Sequence, residues 1–175
     1  MAKAKPKPLP EPFNVLRRIK RGLAGHVSYL AACEMNEAFS EYVLYEPILR
    51  ILLARGYAVK SEVKAPVPQP KKGDKRKLDF VVVGNGLDFA IEVKWAKRRT
   101  INIEEDMLKL SAYQNKVATN RAFLCVFGLK RFVDNIRFRP STDPALVGVT
   151  RKEIGKAMTA AFGQTTYCCR FYEVL

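Results

Sequence analysis

Two runs rich in β-branched and aromatic residues, residues 78–83 and 87–95, flank Gly84-Asn85-Gly86. Asn-Gly between apolar runs is a strong signal for a two-residue hairpin, because both central residues of a type I′ turn need a positive φ. With Asn85 and Gly86 as those residues, Gly84 faces Leu87, and stepping along the ladder brings Asp79 opposite Glu92. Directly opposed Cβ atoms lie about 4.5–5.5 Å apart. Alternation puts Leu78, Phe80 and Val82 with Phe89, Ile91, Val93 and Trp95 on one face, and Asp79, Glu92 and Lys94 on the other. Opposed like charges destabilise a strand pair, so the pattern asks for a counter-ion. A hard divalent cation, which takes carboxylate oxygens, would supply it. Lys94 would add a fixed positive charge beside that ion, a combination suited to phosphodiester hydrolysis. The competing reading is a salt-bridge cluster on a half-exposed sheet.

The rest of the chain frames this hairpin. Leu44, Ile48, Ile51 and Leu52 recur at helical spacing and predict an amphipathic helix over residues 36–55, stopped by Gly56. Residues 57–63 read as a strand, ended by Pro66, Pro68 and Pro70. Asn102 followed by Glu105 resembles a capping box, and Met107, Leu108, Leu110 and Tyr113 carry a helix to residue 117. Residues 121–127 read as a strand, and residues 129–139 follow neither period. Thr150-Arg151-Lys152-Glu153 reads as a second capping box opening a helix to residue 162, before a strand over residues 165–172. The order is αβββαβ with a C-terminal αβ extension and no internal repeat. With 175 residues, 48% of them hydrophobic, the chain fits a single domain over residues 22–175 behind a basic, Pro/Lys-rich tail over residues 1–21. No apolar run is long enough to span a bilayer, and the N-terminus lacks the apolar segment of a secretory signal. A cytoplasmic protein is expected.

Charge narrows the partner. Lys and Arg number 31 against 17 Asp and Glu, a net charge of +14. The excess is clustered: Lys3, Lys5 and Lys7 among prolines, then Arg17, Arg18, Lys20 and Arg21. Lys71, Lys72, Lys75, Arg76 and Lys77 form a third group, and Lys97, Arg98 and Arg99 a fourth. Such patches point to a polyanion, against the alternative of a solubilising tail and solvated loops. The single histidine, His26, and the absence of Cys-x-x-Cys argue against a zinc site or a His-dependent nucleophile. Cys33, Cys125, Cys168 and Cys169 read as buried reduced thiols. Tyr29, Tyr42, Tyr45 and Tyr113 read as edges of the core.

Asp79, twelve residues, then Glu92-Val93-Lys94 within Ala-Ile-Glu-Val-Lys-Trp resembles the PD-(D/E)xK nuclease superfamily. Its restriction-endonuclease-like αβββαβ core, also found in Holliday-junction resolvases, matches the element order over residues 36–127. Leu78 stands where the motif name has Pro. A second Glu-x-Lys, Glu62-Val63-Lys64, has no Asp across a hairpin and reads as an exposed strand end. The resemblance implies an α/β fold with a mixed central sheet flanked by helices, and a Mg²⁺-dependent DNA endonuclease in which Mn²⁺ substitutes. It implies Asp79, Glu92 and the Val93 carbonyl as metal ligands and Lys94 as the catalytic lysine. It also implies a glutamate on the first core helix. Glu41 shares the stripe of Leu44 and Ile48, Glu37 lies one turn earlier, and Glu46 is rotated away. On the later helix Lys109 and Gln114 would contact DNA, with Asp106 at the same edge, unless Asp106 and Lys109 form only a surface ion pair. Lys72, Lys75, Arg76, Lys97, Arg98 and Arg99 would hold duplex or branched DNA. A homodimer suits double-strand cleavage, with the C-terminal extension as its surface or as a cover for the sheet edge. No nucleotide cofactor is expected. The alternative is a catalytically silent DNA- or RNA-binding subunit, or a basic protein of a ribonucleoprotein particle.

Overall fold

The computed structural model describes residues 11–35, 40–84, 86–117, 120–162 and 165–175. It opens with α1 (Phe13–Ala32), whose Val15, Leu16, Ile19, Leu23 and Val27 form one buried stripe. Residues 13–21, read with the tail in sequence, are therefore the first turns of a core helix. Their apolar spacing continues into Leu23 and Val27 and outweighs the interspersed charge. Lys20 is buried as well, its Nζ donating to the carbonyls of Ile154 and Lys156 at 2.8 Å each, so it drops out of the basic surface.

A 3₁₀ turn over Tyr42–Leu44 leads into α2 (Tyr45–Ala54). The regular helix is shorter than the predicted span because Pro47 brings no N–H and its ring crowds the carbonyl of Val43, confining it to a first turn. Gly56, at φ 79°, closes α2 in the expected way: its N–H donates to Leu53 and that of Tyr57 to Leu52.

The strands and remaining helices are β1 (Ala58–Lys64), β2 (Lys77–Gly84), β3 (Leu87–Ala96), β4 (Thr100–Ile101), α3 (Glu104–Lys116), β5 (Arg121–Leu129), α4 (Lys130–Val133), β6 (Arg137–Phe138), β7 (Arg151–Glu153), β8 (Met158–Phe162) and β9 (Thr165–Val174). The main sheet runs β1-β2-β3-β5-β9-β7, with β8 also on β9. Only β3 and β5 pair in parallel in it, and α3 is their crossover. The β2–β3 register is the predicted one, from Gly84↔Leu87 to Phe80↔Ile91. The molecule is thus α/β, with a mixed, mostly antiparallel sheet between helices. Helices α1 and α2 bury Leu16, Leu23, Ile48 and Leu52 against Phe80, Phe89, Phe123 and Phe171 on one face. On the other face α3 packs Met107, Leu110 and Tyr113 against Ala90, Leu124 and Val126.

The C-terminal extension is three strands and not a helix followed by a strand. Residues 151–162 form β7 and β8, which share the outer edge of β9. Gly155, at φ 60°, interrupts the helical path, and an unpaired β9 edge offers backbone partners that a local capping signal cannot match. Cys125, Cys168 and Cys169 are buried, whereas Cys33, just past α1, is exposed. Among the described residues no helix is long and apolar enough to cross a membrane.

Candidate functional site

The site forms where β2 leaves β3. The ladder between them ends at Phe80↔Ile91, so Asp79 lies one step past the last pair. On its other side β2 pairs Ser61↔Phe80 and Val63↔Leu78, skipping Glu62, which has φ 53°. Alternation breaks at the same place. Leu78 packs with the α3-side core while Phe80 packs with the α1/α2-side core, contrary to their predicted shared face. An irregularity of this kind turns a side chain out of the strand's regular pleat.

That parting leaves two β3 amides without a β2 partner, and carboxylates take them. Asp79 Oδ2 accepts from the Val93 N–H at 2.6 Å, and Glu41 Oε1 accepts from the Trp95 N–H at 2.9 Å. Glu41 thus reaches the hairpin from the segment preceding the 3₁₀ turn, outside the helix whose stripe was expected to carry it. Glu46 is exposed and paired with Arg50, and Glu37 lies outside the described residues. Tyr45, read as a core edge, hydrogen-bonds Asp79 through its hydroxyl and sets its ring 4.8 Å from that of Phe80.

Glu92 is 1% exposed. Its Oε2 accepts from Lys109 Nζ at 2.7 Å, and its Oε1 is buried with no hydrogen-bond partner. Lys109 also donates to the Lys77 carbonyl at 2.9 Å and lies 3.7 Å from Asp106 Oδ1. Asp106 Oδ2 in turn sits 3.0 Å from Lys94 Nζ. Two sequence expectations fail here. Lys109 is buried and engaged by acids, not presented to DNA, because one turn of α3 points it at the sheet. Asp106 and Lys109 are not a surface pair either, since both are buried. Asp106 thus joins both lysines of the site, and its three-residue spacing from Lys109 is the sequence signal for that.

These contacts set the electrostatics. Burial, reinforced by the nearby Asp79, pushes the Glu92 carboxyl well above the ordinary glutamate value. Burial likewise raises Asp79, against the opposing bonds from Tyr45 and the Val93 amide. Burial alone would lower Lys94, but Asp106, with Glu41 and Glu92 behind it, outweighs it and raises the ammonium. For Lys109, Glu92 with Asp106 and Asp79 does the same. A lysine held charged is a poor proton acceptor and a good partner for phosphate charge.

Asp79, Glu92, Val93, Lys94 and Glu41 line one cavity of about 700 Å³. Tyr42, 73% exposed and stacked obliquely on Tyr45, stands at its mouth, where sequence placed it at a core edge. Lys75 and Arg76 line it too, although Arg76 is tied to Glu105 and Lys75 to the Pro70 carbonyl. Glu62, expected to be only an exposed strand end, also lines it and pairs with Lys77. Lys72, Lys97, Arg98 and Arg99 are exposed but lie off the cavity lining. Gln114 lies elsewhere, in a depression with Ser111 and Asn115, because it follows Lys109 by five residues and so faces away from it.

Among the described residues no group of three or more His, Cys, Asp or Glu is arranged as a metal cage. The donor chemistry nevertheless suits a hard divalent ion: Asp79, Glu92 and Val93 line the same cavity, and Glu92 Oε1 is buried with no hydrogen-bond partner. Mg²⁺ is commonly held by one or two carboxylates with water and substrate phosphate completing its shell. No known protein family, curated protein or solved structure matches this chain.

Proposed function

We propose that the protein is a metal-dependent DNA endonuclease of the PD-(D/E)xK type, with a restriction-endonuclease-like core and its active site at the parting of β2 and β3. The observation that carries this reading is the convergence of Asp79, Glu92 and Lys94 on one cavity wall, with Glu92 Oε1 buried and unpartnered. Asp79, Glu92 and the Val93 carbonyl would hold Mg²⁺ or Mn²⁺. When bound, that ion supplies Lewis-acid chemistry at a scissile phosphate. The charged Lys94 ammonium orients an attacking water or offsets charge on the phosphate, and Asp106 fixes its position. Glu41 and Asp79 hold the Trp95 and Val93 amides and so fix the strand that carries Glu92 and Lys94.

Plasmid nicking at low salt tests it. Wild-type protein should nick supercoiled DNA only with Mg²⁺ or Mn²⁺. Asp79→Asn, Glu92→Gln and Lys94→Ala should each lower the rate by at least about a hundredfold while DNA binding persists. Absence of divalent-dependent cleavage on duplex, branched and single-stranded DNA would remove the proposal.

A second reading has its own support. Lys94 with Asp106 and Lys109 with Glu92 already neutralise much of the site internally, as suits a silent DNA- or RNA-binding subunit. Salt-sensitive binding without any response to divalent ions would favour it.

A further inference from the structure

We infer that Lys109 is a resident cation of this site, standing where a second metal ion would sit, so that the cavity takes a single divalent ion. The inference rests on the metal-dependent reading above. Lys109 Nζ has three oxygens around it: Glu92 Oε2 at 2.7 Å, the Lys77 carbonyl at 2.9 Å and Asp106 Oδ1 at 3.7 Å. Carboxylate and carbonyl oxygens are what a hard cation takes, and the ammonium occupies their common point. Its position is held from both ends, since Met107 and Leu110 anchor α3 in the core and only 8% of Lys109 is exposed.

Two-metal phosphodiesterases commonly place their ions about 3.5–4 Å apart, with acidic ligands shared between them. Glu92 cannot share itself that way while Lys109 holds Oε2. Its other oxygen, Oε1, is buried without a partner and remains for one ion. Formal charge agrees. Across its whole lining the cavity has seven Asp and Glu against five Lys and Arg, an excess of two formal negative charges that a single divalent cation balances.

The experiment is a Mn²⁺ titration of the full chain, read by calorimetry and by electron paramagnetic resonance of free Mn²⁺, alongside nicking. Wild type and Lys109→Arg should each bind one ion per chain. Lys109→Gln, which keeps a donor but loses the charge, should bind two, and its melting temperature should fall in chelator and recover with Mn²⁺ more than that of wild type. Two ions in wild type, or one in a folded Lys109→Gln, overturns the inference. Should Lys109→Gln fail to fold, the other two proteins decide: one ion in each upholds it, and two in either overturns it. A wild type that nicks DNA with two ions bound keeps the endonuclease reading and loses only this role for Lys109. A wild type that binds no Mn²⁺ loses both.

Discussion

Glu92 is the residue on which the site's physics turns. Its carboxyl is raised well above the ordinary value of 4.5, first by burial and then by Asp79, with Lys109 opposing both. In the metal-free protein the folded state therefore holds that proton more tightly than the unfolded chain does. This contributes stability that is full below the ordinary value and is lost as pH rises through the raised one. Glu92→Gln has no proton to lose, so its stability relative to wild type should improve steadily as pH increases from the ordinary carboxylate range. Urea unfolding in chelator at a series of pH values measures this. A variant-minus-wild-type difference that stays level with pH would contradict the shifted carboxyl. Asp79 moves in the same direction, so Glu92→Gln should retain part of the dependence.

At the scale of elements, the parallel β3–β5 pair joins the hairpin to the rest of the sheet, and its last pair is Ala96↔Gly128. A Cβ on Gly128 would come 2.6 Å from the Ala96 carbonyl oxygen and 3.1 Å from its Cβ, and backbone cannot step aside as a flexible side chain can. Gly128→Ala should cost about 1–3 kcal/mol by denaturant unfolding. A loss under about half a kcal/mol would mean that the strands separate freely there. The hairpin was legible in sequence because Asn-Gly and a period of two agree with each other and with burial on both faces. Leu78 falls on the other face because the irregularity at Asp79 and Glu62 depends on where the β2–β3 pairing stops and the β1–β2 pairing skips a step, which no local pattern records. The C-terminal helix was misread for a related reason, since β7 and β8 are strands by virtue of β9. Register from the turn brings Asp79 near Glu92 and Lys94, although the ladder stops one pair short of the predicted Asp79↔Glu92 pairing. Lys109 and Asp106 were not fully legible, because a helical period gives the face of α3 but not how close that face comes to the sheet.

Over the whole molecule, the net charge of +14 overstates what a polyanion would meet. Lys20 is spent on the Ile154 and Lys156 carbonyls, Lys94 and Lys109 on the acids of the site, and Arg76, Arg121 and Arg170 on Glu105, Glu173 and Asp134. What faces solvent includes Lys71 and Lys72 in the loop before β2 and Lys97, Arg98 and Arg99 in the turn between β3 and β4. That turn directly follows the strand carrying Glu92 and Lys94, so under the proposed endonuclease function it is the exposed basic segment a bound duplex is expected to cross. Each lysine or arginine that neutralises a phosphate releases condensed counterions, and its removal lowers the slope of log affinity against log salt by about one. Replacing Lys97, Arg98 and Arg99 together with alanine should therefore flatten that slope by up to about three, and weaken binding by similar factors across unrelated DNA sequences. Fluorescence anisotropy over a range of salt concentrations gives the number. An unchanged slope would mean that DNA does not cross this turn, and would shift the interface toward the Lys71 and Lys72 side of the cavity.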